Sequence, residues 1–452
     1  MLKKNEEYIV EIIDNGFKGE GIAKIDNFTI FIPNAIKGEK IKIKILKVTS
    51  SHAFAKIIEV IEKSNERINE DCSTYSRCGG CALRHMEYSS TIRIKKEAVE
   101  NTLRKTLGKE IKIDEILDME NPYYYRNKLQ YPIGISDDGT PVMGVYAERT
   151  HRIIKTEECR IQNKLCQDIA NDIFKFIKEN GIKVYDESKL TGSIRHLVIR
   201  IGIKTNEVLV TIVTNTREIE KETELIKFIT DKYKEIKTIA KNINSKNTNV
   251  ILGEKTEIIF GSGYIEDYIG KFKFKISPMS FYQVNPIQTE KLYSKAVEYA
   301  NLTGKETVFD LYCGIGTIGI FASDNVKNIY GIETIKQAID DAKENAKINE
   351  LKNAEFFVGD VEKVLPEFIK DNDIIPDVVF VDPPRKGCDK VALETLLKIE
   401  SKKIVYVSCN PATLARDIKE LEEKYELKKV SICDMFPFTS HIECIALLSL
   451  KN

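Results

Sequence analysis

Cys409 stands in Ser408-Cys409-Asn410-Pro411, at the end of the apolar run Lys403-Ile404-Val405-Tyr406-Val407-Ser408 and ahead of a turn-forming Asn-Pro pair. A thiol at a strand's end is placed as a nucleophile rather than as core filling. A second apolar run, 377–382, ends in Asp382-Pro383-Pro384-Arg385. Rigid prolines there hold a carboxylate that can bind substrate or cofactor, and the arginine can contact phosphate or base. Glu443, in His441-Ile442-Glu443-Cys444-Ile445, opens an otherwise apolar strand expected at a sheet edge. A charge is unexpected at that position, which makes Glu443 a candidate general base.

The stretch Asp310-Leu311-Tyr312-Cys313-Gly314-Ile315-Gly316-Thr317-Ile318-Gly319 holds G-x-G-x-x-G between a strand pattern and a helix pattern, and Glu333 follows Asp310 by 23 residues. By itself this loop suits a dinucleotide, because the glycines let a pyrophosphate approach a helix N-terminus. Asp310, four residues before Gly314, would repel a pyrophosphate but can bind the amino-acid end of a sulfonium cofactor, so S-adenosylmethionine is favoured. Glu333 then accepts hydrogen bonds from the adenosine ribose, Tyr312 lines the loop and Asp360 lies near the adenine. The alternative for Asp360 is a helix N-cap before Val361.

A methyl donor beside a thiol narrows the chemistry. Carbon 5 of uracil is not nucleophilic until a thiolate adds at carbon 6 and creates an enolate, and the carbon-5 proton must then be removed. Cys409 and Glu443 meet those two needs. Amino-methylating enzymes also carry D-P-P, but an aromatic residue follows it, where this chain has Arg385. Upstream, Gln283 in Ser277-Pro278-Met279-Ser280-Phe281-Tyr282-Gln283-Val284-Asn285 offers a side-chain amide to a uracil carbonyl or to the cofactor.

Cys72, Cys78 and Cys81 are spaced C-x5-C-x2-C, with Gly79 and Gly80 between the last pair. Cys159 is the best fourth thiol, since Cys166 sits within a helical pattern and the other five cysteines lie near the C-terminus. Four thiolates suit zinc or an iron–sulfur cluster; structural zinc more often uses two C-x2-C pairs, which puts iron–sulfur ahead. Nearby bases and aromatics (Arg84, His85, Arg93, Lys95 and Lys96, then Tyr123-Tyr124-Tyr125-Arg126-Asn127-Lys128) offer phosphate contacts and a stacking surface for unpaired bases. Residues 93–96 read equally as the exposed face of a helix.

The elements that must position these groups fall into three parts. Residues 1–63 carry short β-branched runs separated by Gly-bearing turns, the pattern of a small closed β-barrel. Its Ile41-Lys42-Ile43-Lys44-Ile45 strand gives one face to the core and offers lysines on the other, and the segment resembles a TRAM domain, an RNA-binding OB-like barrel. Residues 64–275 mix strands with amphipathic helices as a central α+β domain that holds the cysteines. In residues 276–452 strands alternate with helices, which predicts a doubly wound, Rossmann-like α/β domain with ligands at the carboxyl ends of the strands. The runs 429–434 and 441–448 are expected to close it as an antiparallel hairpin on the edge.

At 452 residues the chain is long enough for two or three cores. Its net charge of zero neither demands nor excludes a polyanionic partner. No uninterrupted apolar stretch of about 18 residues and no signal-like start are present, so a soluble, cytoplasmic protein without a membrane partner is expected. The ten cysteines then point to a metal site, a nucleophile or burial rather than to disulfides. No obligate protein partner is evident.

F-Y-Q-x-N from Phe281, D-L-Y-C-G-x-G-x-x-G from Asp310, D-P-P-R from Asp382, S-C-N-P-x-T-x-x-R-D from Ser408 and H-x-E from His441 follow one another in order. With them the chain resembles, over nearly its whole length, the RNA uracil-5 methyltransferases, in the branch acting on 23S ribosomal RNA. The resemblance implies that Cys409 is the nucleophile and Glu443 the base, with Gln283, Tyr312, Glu333 and Asp382 as cofactor contacts. Thr317, where some relatives carry asparagine, Asp360, Asp310 and Gly314 join that set. It further implies that Cys72, Cys78, Cys81 and Cys159 hold a [4Fe–4S] cluster that aids RNA folding rather than redox chemistry. The transfer-RNA branch typically lacks both barrel and cysteine cluster, which favours a ribosomal substrate over a transfer RNA. Cytosine-5 enzymes usually need a second cysteine beside the paired prolines, where Arg385 stands. A catalytically silent RNA-binding or assembly factor is the remaining alternative, and intact Cys409 and Glu443 argue against it. Access to the reacting carbon requires the base to be flipped out.

Overall fold

The computed structural model describes residues 2–16, 18–372 and 374–451. Its largest sheet has eight strands in the order Ala354–Val358, Asn328–Glu333, Thr307–Leu311, Val378–Val381, Lys403–Ser408, Glu443–Leu450, Tyr425–Cys433 and Glu115–Leu117. The first five are parallel, and Glu443–Leu450 runs antiparallel to both of its neighbours. Side-chain alternation commits each strand to two cores at once. Val308, Phe380, Val405 and Ile445 face the helices Pro286–Ala300 and Lys336–Ile348. Phe309, Val381, Tyr406 and Cys444 face Pro411–Leu421, Lys390–Ile399 and Tyr88–Leu107.

Two features of this sheet differ from the sequence expectation. The final hairpin is not on the edge, because Glu115–Leu117 adds in parallel to Tyr425–Cys433. Within the hairpin the last strand is the inner one, so Glu443 begins a strand covered on both sides. A three-residue partner from three hundred residues upstream leaves no periodic signal. Helix Tyr88–Leu107 likewise lies in segment 64–275 by number but packs on the C-terminal sheet through Val99 and Leu103.

The N-terminal six-stranded sheet curls on itself, with the Ile13 amide donating to the Ile22 carbonyl at 2.9 Å. Ile41, Ile43 and Ile45 are fully buried in it, as the alternation predicts. Lys42 on the opposite face is paired with Glu7 at 3.0 Å. The barrel is fastened by Arg67, which donates to the buried Glu39 at 2.5 Å and to the Asn34 carbonyl at 2.6 Å.

Between them lies a seven-stranded sheet, ordered Ile153–Lys155, Pro141–Tyr146, Lys128–Ile135, Ile194–Ile201, Val208–Thr214, Ile236–Ile243 and Lys255–Gly261. Helix Lys164–Glu179 covers it with Ile169, Ile173 and Ile177. The central domain is tied to segment 277–285, ahead of helix Pro286–Ala300, where Arg200 donates to the Ser280 carbonyl at 2.6 Å and Asn127 to the Gln283 carbonyl at 3.0 Å. Among the described residues, no helix is long and apolar enough to cross a membrane.

Candidate active site

The parallel strands that carry motifs, Thr307–Leu311, Asn328–Glu333, Val378–Val381 and Lys403–Ser408, end on the same side because right-handed crossovers present their carboxyl ends together, and the antiparallel Glu443–Leu450 begins there. The loop after Thr307–Leu311 turns through Tyr312 (φ +63°), Gly314 (φ +56°) and Gly316 (φ +80°) into helix Thr317–Ala322. Gly319 is needed for close approach, since a Cβ there would sit 3.0 Å from both Asp310 Oδ2 and Ile329 Cγ2. In its place the Gly319 amide donates to Asp310 Oδ2 at 2.9 Å. Asp310 is fully buried and its second oxygen, Oδ1, has no partner. Glu333, ending the adjacent strand, accepts from the Gly314 amide at 3.3 Å and from the Ile335 amide at 3.0 Å. Thr317 shares a hydrogen bond with the Tyr293 hydroxyl at 2.8 Å.

Cys409 and Glu443 meet by strand register. Ser408 is opposite Cys444 in the antiparallel pairing of Lys403–Ser408 with Glu443–Leu450, so the next residue on one strand falls opposite the preceding residue on the other. The loops around them are tied together. Asn410 caps helix Pro411–Leu421 by accepting from the Ala412 amide at 3.1 Å, while its amide donates to the Arg385 carbonyl at 3.1 Å. Arg416 donates to the carbonyls of Lys386 and Cys388, both at 3.0 Å, and the buried Asp417 accepts from Tyr406 at 2.6 Å and the Cys388 amide at 2.9 Å. The R-D end of the Cys409 motif therefore positions the loop after D-P-P-R, a role the sequence reading did not assign.

The electrostatics are those of a site short of positive charge. Burial pushes the Asp310 carboxyl up to about 7, with Asp382 and Glu333 adding to the rise, and burial pushes Asp382 up to about 7 as well. Glu443, 5% exposed, is raised well above the carboxylate range by burial and then by Asp382, against which Arg385 pulls down. The Cys409 thiol is pushed up to about 11 by burial, then by Glu443 and Asp382, with Arg385 again opposing. A cation placed among these groups would draw all four back toward ionisation, whereas a pyrophosphate would drive them further up.

This arrangement predicts how Cys409 behaves without RNA. Because the thiolate is the reactive form, its alkylation by iodoacetamide should rise about tenfold per pH unit from neutrality toward pH 9. Arg385→Ala should slow the reaction at every pH in that range. Mass spectrometry of the Cys409 peptide measures both rates; a rate independent of pH would contradict the raised thiol.

Of the other expected groups, Gln283 lies on the segment 277–285 beside the site, and among the described residues its side-chain amide makes no hydrogen bond. The Asp360 carboxylate pairs with the exposed Lys363 at 2.7 Å in its own helical turn, and the adjacent Gly359 amide donates to the Glu333 carbonyl at 3.0 Å. Asn285 caps helix Pro286–Ala300 and donates to the Met435 carbonyl at 3.1 Å.

Of the bases expected to face RNA near residue 84, three are buried, while Arg93 and Lys96 keep part-exposed side chains on helix Tyr88–Leu107. Arg84 and His85 are 1% and 0% exposed, Lys95 is 3% exposed and paired with Asp434, and Arg93 is bound to Glu66 at 2.7 Å. The charges of Arg84 and Lys95 are consumed in joining segments of the protein, through Asp71 and Asp434. Burial holds the His441 imidazole below its usual range, and Arg385, Lys95 and Arg126 lower it further.

The cysteines share one neighbourhood. Burial raises Cys78, Cys159 and Cys81, the last to about 12, and Cys72 and Cys159 raise both Cys78 and Cys81 further. Cys81 and Cys159 flank the same apolar cluster of Met119, Tyr125, Ile161 and Phe438. Gly80 donates its amide to Cys78 Sγ at 3.3 Å. Among the described residues, no group of three or more His, Cys, Asp or Glu side chains is arranged to hold a metal ion.

The family profile described as tRNA (Uracil-5-)-methyltransferase matches residues 88–451, and the TRAM domain profile matches residues 2–58. An uncharacterized RNA methyltransferase of Clostridium acetobutylicum is 49% identical over 99% of this chain and 98% of its own length. One from Halalkalibacterium halodurans is 44% identical over 100% and 98%. Among solved structures, the tRNA (uracil-54, C5)-methyltransferase of Pyrococcus abyssi, in complex with S-adenosyl-L-homocysteine, superposes with a TM-score of 0.79. It is 28% identical and covers 97% of this chain and 99% of that one.

Proposed function

The chain belongs to the tRNA (Uracil-5-)-methyltransferase family, whose members are S-adenosylmethionine-dependent RNA methyltransferases, and on that basis we propose that it methylates carbon 5 of a uridine in 23S ribosomal RNA through a covalent intermediate on Cys409. The observation that carries the mechanism is the register that sets Cys409 against Glu443 beside the cofactor loop. S-adenosylmethionine, when bound, supplies an electrophilic methyl on a sulfonium. Asp310, with one buried oxygen unpartnered, and Glu333, Asp382, Tyr312 and Gln283 form a cradle suited to that cation and its polar groups. Gly314 keeps the loop backbone open to it, with Thr317 at the helix start and Asp360 at the outer end of the cradle.

On the substrate, Cys409 sulfur bonds to carbon 6 and the carbon 5–carbon 6 π pair moves onto the carbon-4 oxygen as an enolate. The enolate's carbon 5 takes the methyl, and the donor sulfur keeps the pair of the broken bond. Glu443 then removes the carbon-5 proton; that pair re-forms the double bond and expels the Cys409 thiolate. Arg385 is the cation that opposes the rise of both Cys409 and Glu443, so it favours the ionised form each group needs.

The barrel and the cysteine motif motivate the ribosomal assignment. A transfer RNA is the second reading, favoured by the Pyrococcus abyssi enzyme, which covers 97% of this chain and so shares nearly its full extent. Methylation of both transcripts decides it: 5-methyluridine in the ribosomal RNA alone is expected. Modification of the transfer RNA alone overturns the substrate, and any other methylated base overturns the reaction. We place the reaction in the cytoplasm.

Cys72, Cys78, Cys81 and Cys159 are proposed as ligands of a [4Fe–4S] cluster. Their donor chemistry fits, since Cys78, Cys81 and Cys159 stand near one another and near Cys72 and are held as thiols by partial burial and by the neighbouring sulfurs, a set that a polynuclear cation would hold as thiolates. Bound there, the cluster would staple residues 72–81 to residue 159. Anaerobic purification should give brown protein with about four irons per chain; stoichiometric zinc would overturn the assignment.

A further inference from the structure

Glu443 starts its strand at the end of a bend, residues 434–442, whose main fastenings come from far upstream. Phe438 within it is 1% exposed and has φ +64°, a conformation unfavourable for a residue with a side chain and so one that the surroundings must hold. The Leu83 amide donates to the Phe438 carbonyl at 2.9 Å. The Arg84 guanidinium lies 4.6 Å from the centre of the Phe438 ring and is itself locked by two bonds to Asp71, at 2.6 and 3.0 Å. The rings of Tyr88 and Tyr123 stand 5.7 and 5.3 Å from that of Phe438, and the Tyr125 hydroxyl donates to the Pro437 carbonyl at 3.3 Å. At the start of the bend, Lys95 donates to Asp434 at 2.6 Å and to the Phe436 carbonyl at 3.1 Å.

The nucleophile is held differently. Asn410, Arg416 and Asp417 fix the Cys409 loop against residues 385–388, and none of those bonds involves the upstream segment. We infer that Arg84 and Phe438 are positioning residues for the proton-removal step: the cysteine-bearing segment 71–88 grips the bend through them and sets where Glu443 stands, leaving Cys409 to be placed by its own loop. The inference rests on the reading of Glu443 as the base. It makes the two halves of the reaction separable, since loosening the bend displaces the base and spares the nucleophile.

The test uses the full-length enzyme, S-adenosylmethionine and ordinary uridine-containing RNA, and follows the protein–RNA adduct on denaturing gels. Phe438→Leu and Arg84→Gln are expected to slow product release on the order of tenfold to a hundredfold and to accumulate methylated RNA still attached to Cys409. Arg84→Lys, which keeps a cation over the ring, should release faster than Arg84→Gln. The rate of adduct formation on 5-fluorouridine RNA and the affinity for S-adenosylmethionine should stay at wild-type values in all three, which also shows that they fold. Glu443→Gln is the control and should accumulate the same adduct. If it does while Phe438→Leu and Arg84→Gln do not, or if these lose adduct formation and release equally, the inference is overturned. If Glu443→Gln itself accumulates none, the assignment of the base fails and the inference falls with it.

Discussion

With S-adenosylmethionine and an RNA carrying 5-fluorouridine at the target, the wild-type protein is expected to form an adduct that survives denaturation, and Cys409→Ala to form none. Fluorine at carbon 5 cannot be taken away as a proton, so the bond from Cys409 sulfur to carbon 6 has no route to break once the methyl is in place. Removing the thiol removes enolate formation altogether, and turnover on normal RNA should fall on the order of 10⁴-fold or more. The variant should still bind S-adenosylmethionine, because the Asp310 cradle lies on other strands. An adduct that persists in Cys409→Ala would assign the nucleophile elsewhere. The buried thiols Cys313, Cys388, Cys433 and Cys444 would then be the residues to test, Cys433 and Cys444 being paired to Glu443 and Ser408 in the sheet.

The second large effect is expected from Glu443→Gln. The change keeps size and hydrogen-bonding capacity but removes the proton acceptor, and turnover should drop about 10²- to 10⁴-fold, the usual worth of a general base. Normal uridine RNA should then be trapped as a methylated adduct. The same substitution should stabilise the protein. Glu443 has its folded pKa raised by burial and by Asp382, so the unfolded chain loses that proton at lower pH than the folded one. The folded state is therefore favoured by this group below pH ~4.5 and penalised progressively as pH rises toward its folded pKa. At neutral pH Gln escapes that penalty, and thermal unfolding should shift upward by several degrees while activity is lost. Equal or lower stability in Glu443→Gln would mean that the carboxyl is not held against its ionisation.

The candidate site was legible in the sequence to the extent that its parts are local. Asp310 through Gly319 form one strand–loop–helix unit, and the glycines there answer a need of the backbone itself: positive φ at Gly314 and Gly316, and a Cβ-free approach to Asp310 at Gly319. Cys409 is likewise set by its own strand and helix cap. The barrel could be read because a period of two in Ile41, Ile43 and Ile45 needs only one buried face. Groups that depend on distant partners were misread. Arg84 and Lys95 looked like an RNA-facing basic stretch because a sequence shows a charge but not the Asp71 or Asp434 that cancels it.

Sequence alone determined the chemistry on offer: a thiol at a strand end, a glycine loop behind a carboxylate, a four-cysteine set, and strands interleaved with helices in an order that makes a doubly wound sheet. Those follow from local backbone requirements and short-range periodicity, which travel with the residues themselves. Tertiary structure decided which groups meet. Antiparallel insertion of Glu443–Leu450 between Lys403–Ser408 and Tyr425–Cys433 turned an acid expected at an edge into a buried one facing Cys409, and the far-upstream Glu115–Leu117 took the edge instead. Register between strands separated by dozens or hundreds of residues is chosen by the packing of both sheet faces at once, and no window of sequence contains that sum.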